Sequence, residues 1–236
     1  MEITKESTVA EVVSKNLGSD YVFSKYKIDF CCGGGMSLDA ACKESGVTFE
    51  IIKEEIETIN SKISGTLNST DLEITALIDQ AKDTYHTYIS DTLFEILPFA
   101  AKVAEVHGIE NKEVIEINDL TKGIDEVMTQ MLKNSILSLY PIINEIVELT
   151  KKSEEVSIEL LQDFQKTINR NEIAQSLIGE SFKEISKLSS NYTTPENACN
   201  SYQFLYKTLK ELQHQTHNYM HFEKNVLIPK ALKIIE

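Results

Sequence analysis

The feature that most constrains this chain is how few of its residues break a helix. Nine of the 236 residues are Gly and four are Pro, whereas average proteins contain roughly 7% Gly and 5% Pro. Three of the nine Gly are consecutive, at Gly33 to Gly35, so the rest of the chain has almost no such breaks. Together with abundant Leu, Ile, Glu and Lys, this scarcity predicts an all-α protein.

Composition narrows the class of protein further. Hydrophobic residues make up 42% of the chain, enough for a real core, which excludes wholesale disorder. The formal net charge is −14, and a field of that sign repels nucleic acid and anionic membrane surfaces. No run approaches 18 apolar residues, so we expect no transmembrane helix. We therefore expect partners that are neither nucleic acid nor membrane.

Cysteine usage and the N-terminus predict a cytoplasmic protein. The first six residues lack the basic and apolar regions of a secretory signal. Four Cys, two of them adjacent, do not resemble a disulfide framework in a chain this long, so we expect reduced thiols. A hydrolase or nucleotide-binding enzyme is not favoured, because the chain has neither a phosphate-binding glycine loop nor a nucleophile elbow.

The spacing of caps and turns predicts two domains. A capping box of Thr8 and Glu11 begins a first short helix, and Ser37 begins a third that ends at Gly46. Short helices continue through residues 1–60, and the polar stretch 61–70 predicts a linker. Residues 71–236 form the predicted second domain.

Four long amphipathic segments fill this second domain. They cover residues 71–106, 111–150, 154–188 and 195–232, with Thr194 as the predicted N-cap of the last segment and Pro195 in its first turn. Each segment carries apolar residues at alternating spacings of three and four. Segments of this length joined by short loops predict an antiparallel four-helix bundle.

Six polar residues interrupt the apolar stripes and are therefore predicted to face the core. They are His86, Ser135, Asn171, Gln175, Tyr219 and Glu223. Two readings are open for them. His86 and Glu223 could both bind iron or manganese, which imidazole and carboxylate ligands suit. Alternatively, His86 and Glu223 form a buried hydrogen bond, and Tyr219 and Asn171 complete the network.

Other His and Cys residues have simpler predicted roles. His214, His217 and His221 lie beside the stripe of the fourth helix, so we expect them to face solvent or the bundle rim. His107 precedes Gly108, where a helix end explains it. Cys42 and Cys199 are predicted to be ordinary buried residues.

The sequence Cys31-Cys32-Gly33-Gly34-Gly35 is the most unusual stretch of the chain. It could be a tight turn between helices with two small buried residues before it. It could equally be a redox or sulfur-handling site, because Gly lets a partner approach and the helix beginning at Ser37 would favour a thiolate.

The motif from Tyr26 to Gly35, Tyr-Lys-Ile-Asp-Phe-Cys-Cys-Gly-Gly-Gly, resembles the N-terminal motif of the ScdA/YtfE (RIC) family of iron–sulfur cluster repair proteins. Further matching features run to the end of the chain. They are Ala40-Ala41, Tyr85-His86, Val106-His107-Gly108, Pro195-x-x-Ala198-Cys199, and His221-Phe222-Glu223 with Val226-Leu227 and Pro229. The resemblance thus covers nearly the whole chain.

The resemblance implies a hemerythrin-like bundle with a non-haem di-iron centre. It also implies a cytoplasmic protein that repairs iron–sulfur clusters damaged by nitric oxide or oxidants. Damaged iron–sulfur proteins would be its partners, and Cys31 and Cys32 would contact their clusters, iron or sulfur. The role would be repair or iron donation rather than a defined turnover reaction, and both a monomer and a homodimer remain open.

Transferring the family's metal ligands residue by residue retains only His86 and Glu223. The other expected ligands fall on Met131, Ser135, Asn171 and Tyr219. We therefore expect substoichiometric iron in the bundle. The alternative function is a metal-free, degenerate hemerythrin-like bundle that serves as an interaction or regulatory module.

Overall fold

A computed structural model describes residues 3–16, 19–26, 28, 30, 35–63 and 73–235. Throughout these residues the regular structure is helical, apart from one isolated antiparallel bridge between Thr8 and Ser37. The prediction of an all-α fold is confirmed. Among the described helices, none is long and apolar enough to cross a membrane.

The helices follow one another in two groups. The first five are α1 (Val9–Lys15), α2 (Ser19–Lys25), α3 (Leu38–Ser45), α4 (Phe49–Ile63) and α5 (Ile74–Gln80). The later ones are α6 (Thr87–His107), α7 (Glu113–Asn134), α8 (Tyr140–Lys151), α9 (Ile158–Leu188), α10 (Asn200–Phe222) and α11 (Ile228–Ile235).

The short N-terminal helices begin where their caps predict. The Thr8 hydroxyl accepts a hydrogen bond from the Glu11 amide, and the Glu11 carboxylate accepts one from the Thr8 amide, which completes the capping box. The Ser37 hydroxyl accepts from the Ala40 amide at the start of α3. Gly46 ends α3 with a φ of 68°, a left-handed conformation that Gly adopts without strain.

The described chain divides into two compact units. The first contains residues up to Gln80 together with His217–Ile234. Its hydrophobic core is built by apolar residues of α1 to α4 and the segments between them, among them Val9, Val12, Val22, Phe23, Phe30, Leu38, Ile52 and Ile56. The carboxylate of Glu55 joins α4 to the end of α2, because it accepts hydrogen bonds from Lys25 (2.7 Å) and Tyr26 (2.6 Å).

The second unit, Ala81–Thr216, is a bundle of long helices joined by short loops. Helix α7 packs against both α6 and α9. Between α6 and α10 the rings of Phe99 and Phe204 lie 4.6 Å apart. The predicted break at His107-Gly108 is confirmed, since α6 ends at His107.

In the described part of the chain, three π-helical segments interrupt the long helices. They are π1 (Ala81–His86), between α5 and α6; π2 (Ser135–Leu139), between α7 and α8; and π3 (Glu223–Leu227), between α10 and α11. A π-helix holds an extra residue in the turn and is rare; it occurs mostly as single turns inside α-helices, frequently at functional sites. Each segment begins or ends at one of the predicted inward polar residues: His86, Ser135 or Glu223.

Two predicted helix starts are wrong. The last long helix begins at Asn200 and not at Pro195, because Pro195 begins an isolated turn in which the Ala198 amide donates to the Pro195 carbonyl oxygen over 3.0 Å. The third begins at Ile158, where the Ser157 hydroxyl caps it by accepting from the Leu160 amide. The linker predicted for 61–70 stays a prediction: α4 runs to Ile63, and residues 64–72 lie outside the described part.

Candidate functional site

All six polar residues predicted to face the core are buried. His86, Ser135, Asn171, Gln175, Tyr219 and Glu223 are each at most 5% exposed. Burying polar groups costs free energy unless they are hydrogen-bonded. Three small networks of hydrogen bonds provide partners for some of these polar groups.

The first network joins His86 at the end of π1 to Tyr140 at the start of α8. The Tyr140 hydroxyl lies 2.9 Å from Nε2 of His86, and the two ring centroids are 5.6 Å apart. Burial, and to a lesser extent the positive charge of Lys82, lowers the pKa of His86 to about 4. The imidazole is therefore neutral at physiological pH. Tyr140 was not identified from the sequence, although it lies directly before Pro141 near the predicted stripe.

The second network joins Ser135 at the start of π2 to Asn171 in the middle of α9. The Asn171 side-chain amide donates to the Ser135 hydroxyl over 2.9 Å. The Asn134 side-chain amide in turn donates to the side-chain oxygen Oδ1 of Asn171 over 2.6 Å. Met131, one turn earlier on α7, is 2% exposed. The structure thus brings together Ser135 and Asn171, two positions where the resemblance implies iron ligands.

The third network lies in the other compact unit, at the junction of α10 and π3. The Tyr219 hydroxyl donates to Oε2 of Glu223 over 2.7 Å, and both side chains are fully buried. The two residues that form this bond stand at the positions where the resemblance implies a His-x-x-x-Glu pair of iron ligands. The direct hydrogen bond predicted between His86 and Glu223 stays a prediction.

The prediction that the histidine ladder of α10 faces solvent or the bundle rim is wrong for His221 but is not contradicted for His214, which is half-buried. His221 is 5% exposed, its Nδ1 lies 3.0 Å from the Asn225 amide nitrogen, and His217 is half-buried. The ring of Phe30 packs edge-on against both imidazoles, with centroid distances of 6.2 Å to His217 and 6.1 Å to His221. This contact cannot be predicted from local sequence patterns, because Phe30 is about 190 residues away from both His in the chain.

Phe30 directly precedes the Cys31-Cys32 motif in the sequence and is 3% exposed. Cys31, Cys32, Gly33 and Gly34 themselves lie outside the described residues. Both readings of that motif, a packed turn and a reactive thiol site, therefore stay predictions.

The other two Cys differ from each other. Cys42 is buried, as predicted, and burial raises the pKa of its thiol. Cys199 is exposed, so its predicted burial is wrong; it lies in the segment before α10 rather than inside a helix. Its sulfur is 3.3 Å from Nε2 of His107 at the end of α6. The motif that contains His107 and the motif that contains Cys199, both part of the family resemblance, therefore lie in contact within the second unit.

Within the described part of the chain, no three His, Cys, Asp or Glu side chains come together in a group that could hold a metal ion. His86 and Glu223, which the resemblance implies as ligands, each have a tyrosine hydroxyl as a hydrogen-bond partner.

Comparison with known proteins places these features in context. Residues 5–60 match the ScdA_N family, described as a domain of unknown function (DUF542). The iron–sulfur cluster repair protein ScdA of Staphylococcus haemolyticus is 29% identical over 230 residues, which are 97% of this chain and 99% of the relative. ScdA of Staphylococcus epidermidis is 26% identical over the same shares of both chains.

A second set of relatives carries a different name. The iron–sulfur cluster repair protein YtfE of Yersinia pseudotuberculosis is 24% identical over 217 residues, or 90% of each chain. The family resemblance seen in the motifs is thereby confirmed, and the chain is similar to the ScdA and YtfE iron–sulfur cluster repair proteins over almost its whole length.

Proposed function

We propose that this chain is a cytoplasmic iron–sulfur cluster repair protein that acts under nitrosative or oxidative stress. The observation that carries the proposal is the match of residues 5–60 to ScdA_N, which includes Cys31 and Cys32, within a chain similar throughout to repair proteins. Damaged iron–sulfur proteins would be its partners. Its role would be repair or iron donation, not a turnover reaction with a defined small substrate.

The residues of the bundle do not fit a di-iron centre. Such centres in helical bundles take carboxylates and imidazoles from all four helices. Here the corresponding positions hold the thioether of Met131, the hydroxyl of Ser135, the amide of Asn171 and the phenol of Tyr219. Three of these groups are engaged in hydrogen bonds with protein neighbours. No step of the proposed function therefore passes through iron held by the bundle.

Cys31 and Cys32 are the groups we propose to contact the damaged cluster. Thiolates are the natural ligands of iron–sulfur clusters. Phe30, buried against His217 and His221, holds the chain in place one residue before the motif. Three Gly after the two Cys would let a client protein approach closely.

The test is recovery of an iron–sulfur dehydratase inactivated by nitric oxide. We expect the wild-type chain to restore its activity in the presence of iron and a thiol reductant. The double variant Cys31→Ser/Cys32→Ser should fold normally and restore none. The matched control, Cys42→Ser/Cys199→Ser, removes the same number of thiols and should retain recovery. Equal recovery by both double variants would refute the assigned role of Cys31 and Cys32.

The second candidate function is a metal-free bundle that serves as an interaction or regulatory module. The hydrogen bonds that join Ser135, Asn171 and Asn134 favour it, because they use the ligand positions for structure. A chain of this kind would protect stressed cells equally well with and without Cys31 and Cys32. Growth of a deletion strain under nitric oxide, complemented with each double variant, separates the two functions.

A further inference from the structure

Helix α9 carries on its outer side a stripe of residues that face away from the core. The stripe consists of Lys166, Arg170, Ile173, Leu177, Glu180 and Glu184, spaced alternately four and three residues apart. At 100° per residue these side chains occupy an arc of about 80°. The opposite side of the helix holds buried residues such as Asn171, Gln175 and Ile178.

Two large apolar side chains lie at the centre of this outer stripe. Ile173 is 64% exposed and Leu177 is 49% exposed. Both also line an open groove between α7 and α9 with a volume of about 490 Å³, so the apolar surface extends beyond the helix itself. Charged residues lie on either side along the helix, basic towards its N-terminus and acidic towards its C-terminus.

When the outer stripe is placed against a second copy that runs in the opposite direction, apolar residues lie opposite apolar residues and basic residues lie opposite acidic ones. Positions equally far from residue 175 pair Ile173 with Leu177, Arg170 with Glu180, and Lys166 with Glu184. In an antiparallel pair of helices with this alternating spacing, such positions face each other across the contact. Every layer would therefore be apolar on apolar or opposite charge on opposite charge.

We propose that the outer stripe of α9 is the surface through which two copies of this chain associate, with the two α9 helices antiparallel. A parallel arrangement would instead place Lys166, Arg170, Glu180 and Glu184 against their own copies, so like charges would meet. The order of charges along the stripe therefore favours the antiparallel orientation as well as a second copy of the chain as the partner.

The charge of the whole chain makes this surface distinctive. At a net charge of −14, two copies repel each other over most of their surfaces. The stripe itself has two basic and two acidic residues and is locally neutral. It also contains the only arginine of the sequence, Arg170, and Arg is the basic residue that interfaces favour for ion pairs.

One further pair extends the pattern at both ends. Asp163 and Lys187 are also equally far from residue 175 and carry opposite charges. Within one chain Asp163 contacts Lys166 (3.0 Å) and Glu184 contacts Lys187 (2.8 Å). In the antiparallel dimer these four positions would form a network at each end of the contact, where exposed ion pairs stabilise more than they do singly.

The experiment is sedimentation velocity of the full chain over a wide concentration range. We expect a monomer–dimer equilibrium for the wild type. Arg170→Glu and Glu180→Arg should each weaken the dimer at least tenfold, because each creates two like-charge contacts. A chain that carries both changes should recover the wild-type equilibrium.

A mixing experiment makes the geometry decisive. Chains with Arg170→Glu alone and chains with Glu180→Arg alone should form heterodimers with each other, since both cross-contacts then join opposite charges. Ile173→Asp should abolish association, whereas Ile158→Asp, at a 70% exposed site on the same helix outside the stripe, should leave it unchanged. A wild type that stays monomeric at the highest concentration, or variants that do not pair when mixed, would overturn the proposal.

Discussion

The Tyr140 hydroxyl lies 2.9 Å from Nε2 of His86, at the point where π1 gives way to α6. Both side chains are buried, and the pKa of His86 is lowered to about 4, mainly by burial. At pH 7 the Nε2 atom can therefore accept a hydrogen bond from the phenol. The pair satisfies two polar groups inside the bundle without a charge.

The low pKa of His86 predicts how the stability of the metal-free protein depends on pH. Below pH 6.5 the unfolded chain binds a proton at this residue and the folded chain does not. The free energy of unfolding should therefore reach its full value above about pH 6.5 and decrease towards pH 4. His86 should contribute up to about 1.4 kcal/mol of this decrease per pH unit.

Denaturant unfolding at several pH values measures this slope. His86→Phe should flatten it, whereas Tyr140→Phe should lower stability by about 1 kcal/mol at every pH and keep the slope, because burial is the main cause of the shift. Equal slopes in the wild type and His86→Phe would show that folding does not lower the pKa of His86.

The Ser135–Asn171 network predicts a large effect at one Asn and almost none at its neighbour. Asn171→Ala removes one buried and one part-buried hydrogen bond, so we expect a loss of about 2–3 kcal/mol in the free energy of unfolding. Asn169, two residues away, is exposed and accepts from Gln165 on the surface. Asn169→Ala should cost about 0.5 kcal/mol or less. Comparable losses in the two variants would contradict a structural role for the buried network.

Two Gly of the second unit should respond oppositely to the same substitution. A Cβ atom at Gly108 would collide with the backbone oxygen of Ala104 and approach a side-chain carbon of Ile115 to 2.8 Å. Gly108→Ala should therefore destabilise by about 1–3 kcal/mol. Gly123 lies inside α7 with nothing within 4 Å of that position, so Gly123→Ala should stabilise by about 0.5–1 kcal/mol. Thermal unfolding of both variants tests the predicted difference in sign.

Thiol labelling should distinguish Cys199 from Cys42. Cys199 is exposed beside His107, whereas Cys42 is 2% exposed and its thiol pKa is raised by burial. In the native chain we expect iodoacetamide to modify Cys199 at least tenfold faster. Mass spectrometry of each peptide gives the rates, and labelling in denaturant, where the two should converge, is the control. Similar native rates would mean that Cys42 becomes accessible through local opening.

Iron content tests the fit of the bundle directly. We expect protein purified with and without oxygen to hold well below two irons per chain, because Met131, Ser135 and Asn171 are poor iron ligands and the Tyr219 hydroxyl is hydrogen-bonded to Glu223. Elemental analysis and the near-ultraviolet absorption of an oxo-bridge provide the measurement. Two tightly bound irons with that band would contradict our assignment of the inward positions.

Periodicity and capping chemistry were enough to predict much of this fold. The inward direction of Asn171 and Tyr219 follows from helical spacing alone, since a stripe needs no knowledge of the partner helix. The Ser37 cap and the Gly46 end of α3 are likewise local, because the groups that bond lie within a few residues.

The errors arise where the structure depends on distant contacts or on an inserted residue. After π2 the buried residues of α8 include Ile143 and Ile146, because the inserted residue shifts the helical phase by one position, and the three-and-four spacing of the sequence does not reveal such an insertion. His221 is buried partly by Phe30, a contact that no local pattern encodes. The start of α10 differs from the prediction because Pro195 begins an isolated turn, and the cap pattern of Thr194 and Pro195 does not distinguish that turn from the first turn of a helix.

The three π segments also bear on how the length of this chain can vary. A π turn is an α-helical turn with one residue inserted, so deleting a single residue from π2 can restore a regular helix with both flanks still in register. The same deletion in the middle of α9 would rotate the rest of that helix by about 100° and turn its buried side outward. Relatives that lack one of these turns should therefore be one residue shorter at that point, with neighbouring helices unchanged.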